Sequence, residues 1–104
     1  MTLDDFQLTT RRTWRDHGDP RIALAHCALG VTEEAGEVAG AIKKHLGYGQ
    51  PLDREKLIRE LGDLLWYLAR TADEVGATLE HVAAMNVAKL AARYPDAGWT
   101  AEHA

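Results

Sequence analysis

Five carboxylates in two short stretches are the residues of this sequence best suited to chemistry. The stretch TEEAGEVAGAIKK contains Glu33, Glu34 and Glu37, and the stretch RELGDLLWYLAR contains Glu60 and Asp63. At about 100° per residue, the carboxylates of each stretch share one side of a helix. Oxygen ligands without cysteine or paired histidine suit Mg²⁺ or Mn²⁺ and not zinc. The two stretches predict a divalent-metal site, provided that their helices face each other.

Each stretch also has an interpretation without a ligand. Glutamates at such spacing are often a solvated helix face, and Glu60 and Asp63 could pair with Arg59 or Arg70. However, two carboxylates about 4 Å apart repel by roughly 4 kcal/mol at an effective dielectric constant of 20. A cluster of four or five is therefore hard to sustain without a cation. A di-iron bundle is excluded because it uses Glu-x-x-His pairs, and no histidine here stands three residues after a glutamate.

Glycines accompany the first carboxylate stretch. Gly36 and Gly40 lie inside it, although each costs about 1 kcal/mol relative to alanine in a helix. On a helical projection, Gly30 and Gly40 fall in the same sector as Glu33 and Glu37. Because glycine has no side chain, it allows a neighbouring helix or a ligand to approach the backbone. We expect these glycines to make room beside the metal site.

Helices must position these residues, since helical periodicity runs between clear breaks. The breaks are HGDPR, GYGQPLD, VGAT and RYPDAGW. Asp53 and Thr78 are predicted N-caps, and Gly76 suits a helix C-terminus. The first segment, around residues 3–16, has weaker periodicity, and no alternating strand pattern occurs. The prediction is an all-α, four-helix-bundle-like fold in a single domain over residues 1–104.

Two apolar stripes are expected to form the core of this domain. They repeat at three- and four-residue spacing, as in an amphipathic helix. The stripe of residues 21–46 comprises Leu24, Ala28, Val31, Ala35, Val38 and Ile42. The stripe of the next helix comprises Leu57, Ile58, Leu61, Leu64, Leu65 and Leu68.

Composition argues against nucleic-acid-binding and membrane proteins. The chain is 46% hydrophobic and 27% charged, as in ordinary soluble proteins. Its net charge of −4 and the lack of a long basic stripe argue against a nucleic-acid duplex as partner. No apolar run reaches the roughly 18–20 residues that cross a bilayer, and the N-terminus does not resemble a signal peptide. The lone Cys27 excludes an intrachain disulfide. We expect a cytoplasmic protein without a membrane partner.

The carboxylate pattern resembles the MazG-like family of all-α nucleoside triphosphate pyrophosphohydrolases. The signature of that family, Glu-Glu-x-x-Glu followed by Glu-x-x-Asp, stands here as EEAGE at 33–37 and ELGD at 60–63. The likeness continues through AIKK, GDLLWYLA and NVAKLAARYP. The resemblance implies hydrolysis of a ribo- or deoxyribonucleoside triphosphate between its α and β phosphates, in clearance of non-canonical or excess nucleotides.

The resemblance also implies roles for single residues. Glu34, Glu37, Glu60 and Asp63 would coordinate Mg²⁺, for which Mn²⁺ could substitute, and Glu33 would position or deprotonate the attacking water. Residues implied to bind the substrate are Lys44, Tyr67, Asn86, Lys89 and Arg93. Family members are usually dimers or dimers of dimers, so a homodimer or homotetramer is expected to complete the pocket.

Two rival functions remain open at this point. A related enzyme of the same clan acts on phosphoribosyl-ATP, although DLLWYLAR lacks the histidine expected soon after the aspartate in that group. A non-catalytic helical module that binds nucleotides or a partner protein is the second alternative.

Overall fold

Four helices make up the computed structural model, which describes residues 1–97. They are α1 (Leu3–Thr10), α2 (Pro20–Gly47), α3 (Arg54–Glu74) and α4 (Leu79–Arg93). A 3-10 turn, Pro95–Ala97, follows α4. Since no strand occurs among the described residues, the all-α prediction is confirmed.

Local capping chemistry fixes where the helices begin and end. The Asp53 side chain accepts a hydrogen bond from the Lys56 backbone N–H at 3.1 Å, and Thr78 accepts one from His81 N–H at 3.0 Å. These bonds satisfy N–H groups that have no partner within the helix. After α3, Gly76 has a φ of +73°, a conformation that favours glycine. The two predicted N-caps and the predicted stop are confirmed.

The first helix is shorter than the segment predicted around residues 3–16. It ends at Thr10, and residues 11–19 form the connection to α2. The hydroxyls of Thr9 and Thr10 donate to the backbone carbonyls of Phe6 and Gln7, both at 2.6 Å. Such bonds compete with helix continuation, which explains the early end.

The longest interface joins α2 and α3, which run antiparallel. Small residues line the α2 side of this interface, where Ala23, Cys27 and Gly30 are buried. The pKa of the Cys27 thiol is raised, chiefly by burial, as expected of a structural cysteine. Close approach of two helices requires such small side chains, so α3 packs against this face of α2.

The predicted apolar stripe of α2 is consequently not the core-facing side. Leu24 and Ile42 are each 40% exposed, and Ala28 and Ala35 are exposed as well. On α3, Ile58, Leu61 and Leu68 are between 43% and 50% exposed. The stripes form the core of the chain only in part: Leu65 of the α3 stripe packs against its buried residues, whereas the helix contact on α2 is made by the small-residue face. Both stripes lie on the same side of the helix pair by helical geometry.

A second small core joins α1, the end of α3 and the start of α4. It contains Ala69, Ala72 and Leu79, packed against Phe6 and Leu65. Since most members are small, this core buries little apolar surface.

One buried side chain ties α1 to the turn between α3 and α4. Gln7 is 4% exposed, and its Nε2 donates to the carbonyl of Ala77 at 2.8 Å. Its Oε1 accepts from the backbone N–H of Leu79 at 2.8 Å. The start of α4 is thus held directly by α1.

An ion network lies beside this glutamine. Arg11 donates to both carboxylate oxygens of Asp73, at 2.8 and 3.1 Å. Arg70, 3% exposed, donates to Asp73 at 3.1 Å and to Glu74 at 3.4 Å. The buried arginine is therefore paired, as its desolvation requires.

Candidate functional site

The groove between α2 and α3 is set by a glycine and a tyrosine. A Cβ built on Gly30 would overlap the ring of Tyr67, so the ring lies directly on the α2 backbone. By contrast, nothing lies within 4 Å of a Cβ built on Gly36 or Gly40. Among the described residues, the close helix approach occurs at Gly30. Space for a ligand beside Gly36 and Gly40 stays a prediction.

Three carboxylates from the two helices meet one turn from this contact. Glu34, Glu60 and Asp63 each have an oxygen, and these oxygens lie within 4.8 Å of one another. Glu34 and Glu60 are half-buried, whereas Asp63 is exposed. The carboxylates of the two signature stretches do face each other across the helix pair.

Basic side chains of the described residues do not neutralise the charges of this cluster. The pKa of Glu34 is raised, first by burial and then by the charges of Asp63, Glu33, Glu60 and Glu37. Among residues 1–97, no lysine or arginine forms an ion pair with these five carboxylates. The alternative partners are engaged elsewhere, since Arg59 lies 4.0 Å from Glu55 and Arg70 binds Asp73 and Glu74.

The donor set fits Mg²⁺. Carboxylates are the hard ligands that this ion prefers, and ligands at about 2.1 Å stand at most about 4.2 Å apart around it. The oxygens of Glu34, Glu60 and Asp63, within 4.8 Å, need only small side-chain rotations to meet that limit. A bound cation would also remove the repulsion that raises the pKa of Glu34.

The remaining carboxylates of the signature border this group. Glu33 and Glu37 are both exposed and lie outside the cluster of three. They are close enough for their charges to act on Glu34. With Gly30 against Tyr67, the antiparallel register places Glu37 opposite Glu60.

Aromatic rings line the part of the groove between the carboxylates and the N-terminus of α2. Tyr67 packs edge-on against Trp66 with ring centroids 4.9 Å apart and lies 5.8 Å from His26. Trp14 lies 5.1 Å from His26 and 6.0 Å from Trp66. The pKa of Tyr67 is raised by burial and next by Glu33. This end of the groove can bound a flat, uncharged group.

The two histidines of this wall are not among the site residues predicted from the sequence. His17 Nε2 and His26 Nδ1 share a hydrogen bond of 2.8 Å, and both rings contact Trp14. The only signal for His26 was its place in the sector of Glu33 on a helical projection. For His17, in the connection before α2, the sequence held no signal.

Substrate-binding candidates are divided between two places. Lys44 is exposed and lines a cavity beside the loop between α2 and α3. Asn86, Lys89 and Arg93 are exposed on α4, which packs against α1 and the end of α3 remote from the carboxylates. A single chain, over residues 1–97, does not bring these three α4 side chains to the carboxylate cluster.

A larger cavity, of about 310 Å³, lies between α1 and the turn before α4. Its lining includes Gln7, Arg11 and Asp73 but no member of the carboxylate cluster. These groups already bond one another, so this cavity belongs to the structural network. Along residues 1–97, no helix has both the length and the apolar character needed to span a membrane.

Comparison with known proteins places this chain in a family. The MazG nucleotide pyrophosphohydrolase domain matches residues 24–98, a range that includes all five carboxylates. The Gene 37 protein of Mycobacterium phage L5 is 36% identical over 74 residues, which are 67% of this chain and 65% of that protein. The chain thus spans just under two thirds of that relative's length.

A second relative is matched over more of its length. The protein named Uncharacterized protein YvdC, from Bacillus subtilis strain 168, is 32% identical over 96 residues, 84% of this chain and 86% of that protein. No solved structure matches the chain with statistical significance. On the family match and the helical fold together, the chain belongs to the MazG nucleotide pyrophosphohydrolase family.

Proposed function

We propose that this protein hydrolyses a nucleoside triphosphate between its α and β phosphates, releasing a monophosphate and pyrophosphate. The observation that supports this most directly is the cluster of Glu34, Glu60 and Asp63, which has no counter-charge from the described chain. In a chain of the MazG family, such a cluster suits the metal-dependent cleavage of a phosphoanhydride.

Four carboxylates would hold Mg²⁺ in this proposal: Glu34, Glu37, Glu60 and Asp63. When bound, the ion would neutralise phosphate charge and lower the pKa of coordinated water. Helices α2 and α3 bring Glu34, Glu60 and Asp63 together without a ligand, and such preorganisation would lower the barrier.

Glu33 is the proposed base. It is exposed and stands one residue before the half-buried Glu34, so it can reach solvent water beside the cluster. Its carboxylate would accept a proton from the attacking water while the water oxygen bonds to a phosphorus of the α–β bridge. The bond from that phosphorus to the bridging oxygen breaks, and its electron pair stays on that oxygen. Tyr67, packed on Gly30, would bound the nucleoside.

A second copy of the chain is proposed to complete the site. The exposed stripes hold Leu24, Ile42, Leu61 and Leu68 on one side of the helix pair, each at least 40% exposed. The buried apolar residues of the part that the structure describes are few and mostly small, so pairing of these stripes would supply additional core. Symmetric pairing of two α2–α3 units gives a four-helix arrangement. The partner subunit's Lys89 and the partner subunit's Arg93 could then approach the phosphates.

The deciding experiment measures pyrophosphate release from a panel of ribo- and deoxyribonucleoside triphosphates and phosphoribosyl-ATP, with and without Mg²⁺. Glu34→Gln should abolish release. Glu55→Gln is the matched control, because Glu55 is an exposed glutamate of α3 outside the cluster. Orthophosphate as the product, or full activity of Glu34→Gln, would contradict the proposal. Light scattering of Leu61→Lys tests the assembly, since loss of the dimer is the expected result.

A further inference from the structure

The connection between α1 and α2 forms part of the aromatic wall of the groove. It comprises residues 11–19, carries Trp14, and contains no helix or strand. Side chains of α3 hold it in place. Trp66 Nε1 donates to Thr13 Oγ1 at 3.2 Å, and the guanidinium of Arg70 lies over the Trp14 ring, 4.8 Å from its centroid. The position of Trp14 therefore depends on α3.

Arg70 is itself firmly held. Its side chain is 3% exposed. Nη1 donates to Thr10 Oγ1 at 3.3 Å and to Asp73 at 3.1 Å, and Nη2 donates to Glu74 at 3.4 Å. Because side chains of both α1 and α3 fix the guanidinium, it can act as a rigid support for an aromatic ring.

One nitrogen of this arginine indicates that hydrogen bonding alone does not set its orientation. Among residues 1–97, Arg70 Nε is buried and has no hydrogen-bond partner. A buried donor without a partner costs free energy, so an arginine with a purely structural role would be expected to turn this N–H toward an acceptor. The observed orientation instead places the guanidinium over the Trp14 ring. Tryptophan is the aromatic side chain that gives the strongest cation–π contacts.

The other contacts of Trp14 belong to the groove. Its ring centroid lies 5.1 Å from that of His26 and 6.0 Å from that of Trp66, and both of these rings contact Tyr67. Arg70 follows Tyr67 by about one turn of α3, in the direction away from the carboxylates. The arginine therefore supports the aromatic wall without belonging to the carboxylate cluster.

We propose that Arg70 is a positioning residue, which holds Trp14 at the nucleoside end of the groove and thereby strengthens binding of the nucleoside. The inference rests on the proposed function, which places a nucleoside beside Tyr67. Arg70 touches no reacting group and acts only through Trp14. Its substitution should therefore raise the KM for the triphosphate more than it lowers kcat.

The test measures binding of AMP, CMP, GMP and UMP to the full-length protein by calorimetry, in the presence of Mg²⁺. Arg70→Lys keeps the positive charge beside Asp73 but lacks the planar group that stacks on a ring. For the monophosphate that the wild type binds most tightly, we expect this variant to bind about two- to thirtyfold more weakly, the range of a cation–π contact. Arg11→Lys is the matched control, because Arg11 also binds Asp73 but is largely exposed. Among residues 1–97, only Arg70 lies over Trp14.

A double-mutant cycle with Trp14→Leu shows whether Arg70 acts through this ring. If it does, Arg70→Lys has no further effect on monophosphate binding in the Trp14→Leu background. Near-ultraviolet circular dichroism of the unliganded protein gives a second readout. The signal that Trp14→Leu removes should also fall in Arg70→Lys and persist in Arg11→Lys. Thr10→Val takes the place of Arg70→Lys if that variant does not fold, because it removes one of the bonds that fix Arg70.

The outcomes separate this inference from the proposed function. Wild-type affinity in Arg70→Lys, an equal loss in Arg11→Lys, or the same loss with and without Trp14 would overturn the inference, even if the wild type hydrolyses triphosphates. A wild type that binds none of the four monophosphates would also overturn it. Weaker binding that depends on Trp14, in a protein that releases no pyrophosphate, would support the role of Arg70 and contradict the proposed function. The same criteria apply to Thr10→Val.

Discussion

Replacing Gly30 by alanine tests whether the groove is set by the packing of Tyr67 on α2. The new methyl group would overlap the Tyr67 ring, which is confined by Trp66 and His26. Overpacking of this kind costs about 1–3 kcal/mol. Removing a glycine from a helix contributes up to about 1 kcal/mol in the opposite direction.

Gly36→Ala is the matched control because it carries the same helix-propensity gain without the overlap. Gly36 is exposed on α2, and nothing lies within 4 Å of a Cβ built there. The gain cancels between the two variants, so Gly30→Ala should be less stable than Gly36→Ala by the overpacking cost, about 1–3 kcal/mol. For a domain of this size, that difference corresponds to roughly 4–8 °C in Tm per kcal/mol.

The assay is urea unfolding at a fixed protein concentration, because association would shift the apparent stability. A double-mutant cycle with Tyr67→Ala isolates the contact, since removing the ring should remove the penalty of the methyl group at position 30. Equal stability of Gly30→Ala and Gly36→Ala, or a cycle without coupling between positions 30 and 67, would refute close packing of Tyr67 on Gly30.

Three further predictions follow from the charged groups. The pKa of Asp73 is lowered, first by hydrogen bonds from Arg11, so Asp73 stabilises the fold above the ordinary aspartate pKa of about 3.9. That stability is lost as pH falls through the lowered value. Asp73→Asn should lower the free energy of unfolding by about 3 kcal/mol at neutral pH. In urea unfolding, the difference in stability between wild type and variant should disappear only in strong acid. A difference that does not depend on pH would contradict this prediction. Because the pKa of Glu34 is raised by burial and by Asp63, protons should compete with Mg²⁺ at pH values above the ordinary glutamate range. Calorimetry across a pH series should show the Mg²⁺ affinity falling as the pH is lowered toward that range. A Mg²⁺ affinity that does not change with pH would contradict the role of Glu34 as a ligand. Asp63→Asn should raise the Tm of metal-free protein by removing repulsion, abolish the further rise on adding Mg²⁺, and lower turnover roughly 10²-fold or more. A Tm that still rises with Mg²⁺ in this variant would place the ion elsewhere.

Local features of the fold could be predicted because they depend on a few neighbouring residues. The N-caps Asp53 and Thr78 and the left-handed Gly76 follow from chemistry within one turn of chain. The side of α2 that packs could not be predicted in the same way. Periodicity identifies an apolar side such as that of Leu24 and Ile42, but it does not say whether the same chain covers it.

The candidate site likewise has features that the sequence predicts and features that it does not. The spacing predicted that the carboxylates of each stretch share one side of a helix, and the structure brings Glu34, Glu60 and Asp63 together. The histidine pair depends on how the connection before α2 folds back on α2. A one-dimensional pattern carries no information about such contacts. The metal-binding roles of Glu34, Glu37, Glu60 and Asp63, and the role of Glu33 as base, stay predictions.

The bond between Gln7 and the start of α4 has a mechanical consequence. The side-chain amide of Gln7 acts as an additional peptide group, accepting from Leu79 N–H and donating to the Ala77 carbonyl. These two bonds fix the N-terminal end of α4. The helix is 15 residues long and extends about 22 Å from that end. If the axis of α4 tilted by about 10° at its N-terminus, the C-terminal end of the helix, at Arg93, would move by about 4 Å. A substitution of Gln7, which is far from every carboxylate of the groove, would thus change the position of the basic C-terminal end of α4.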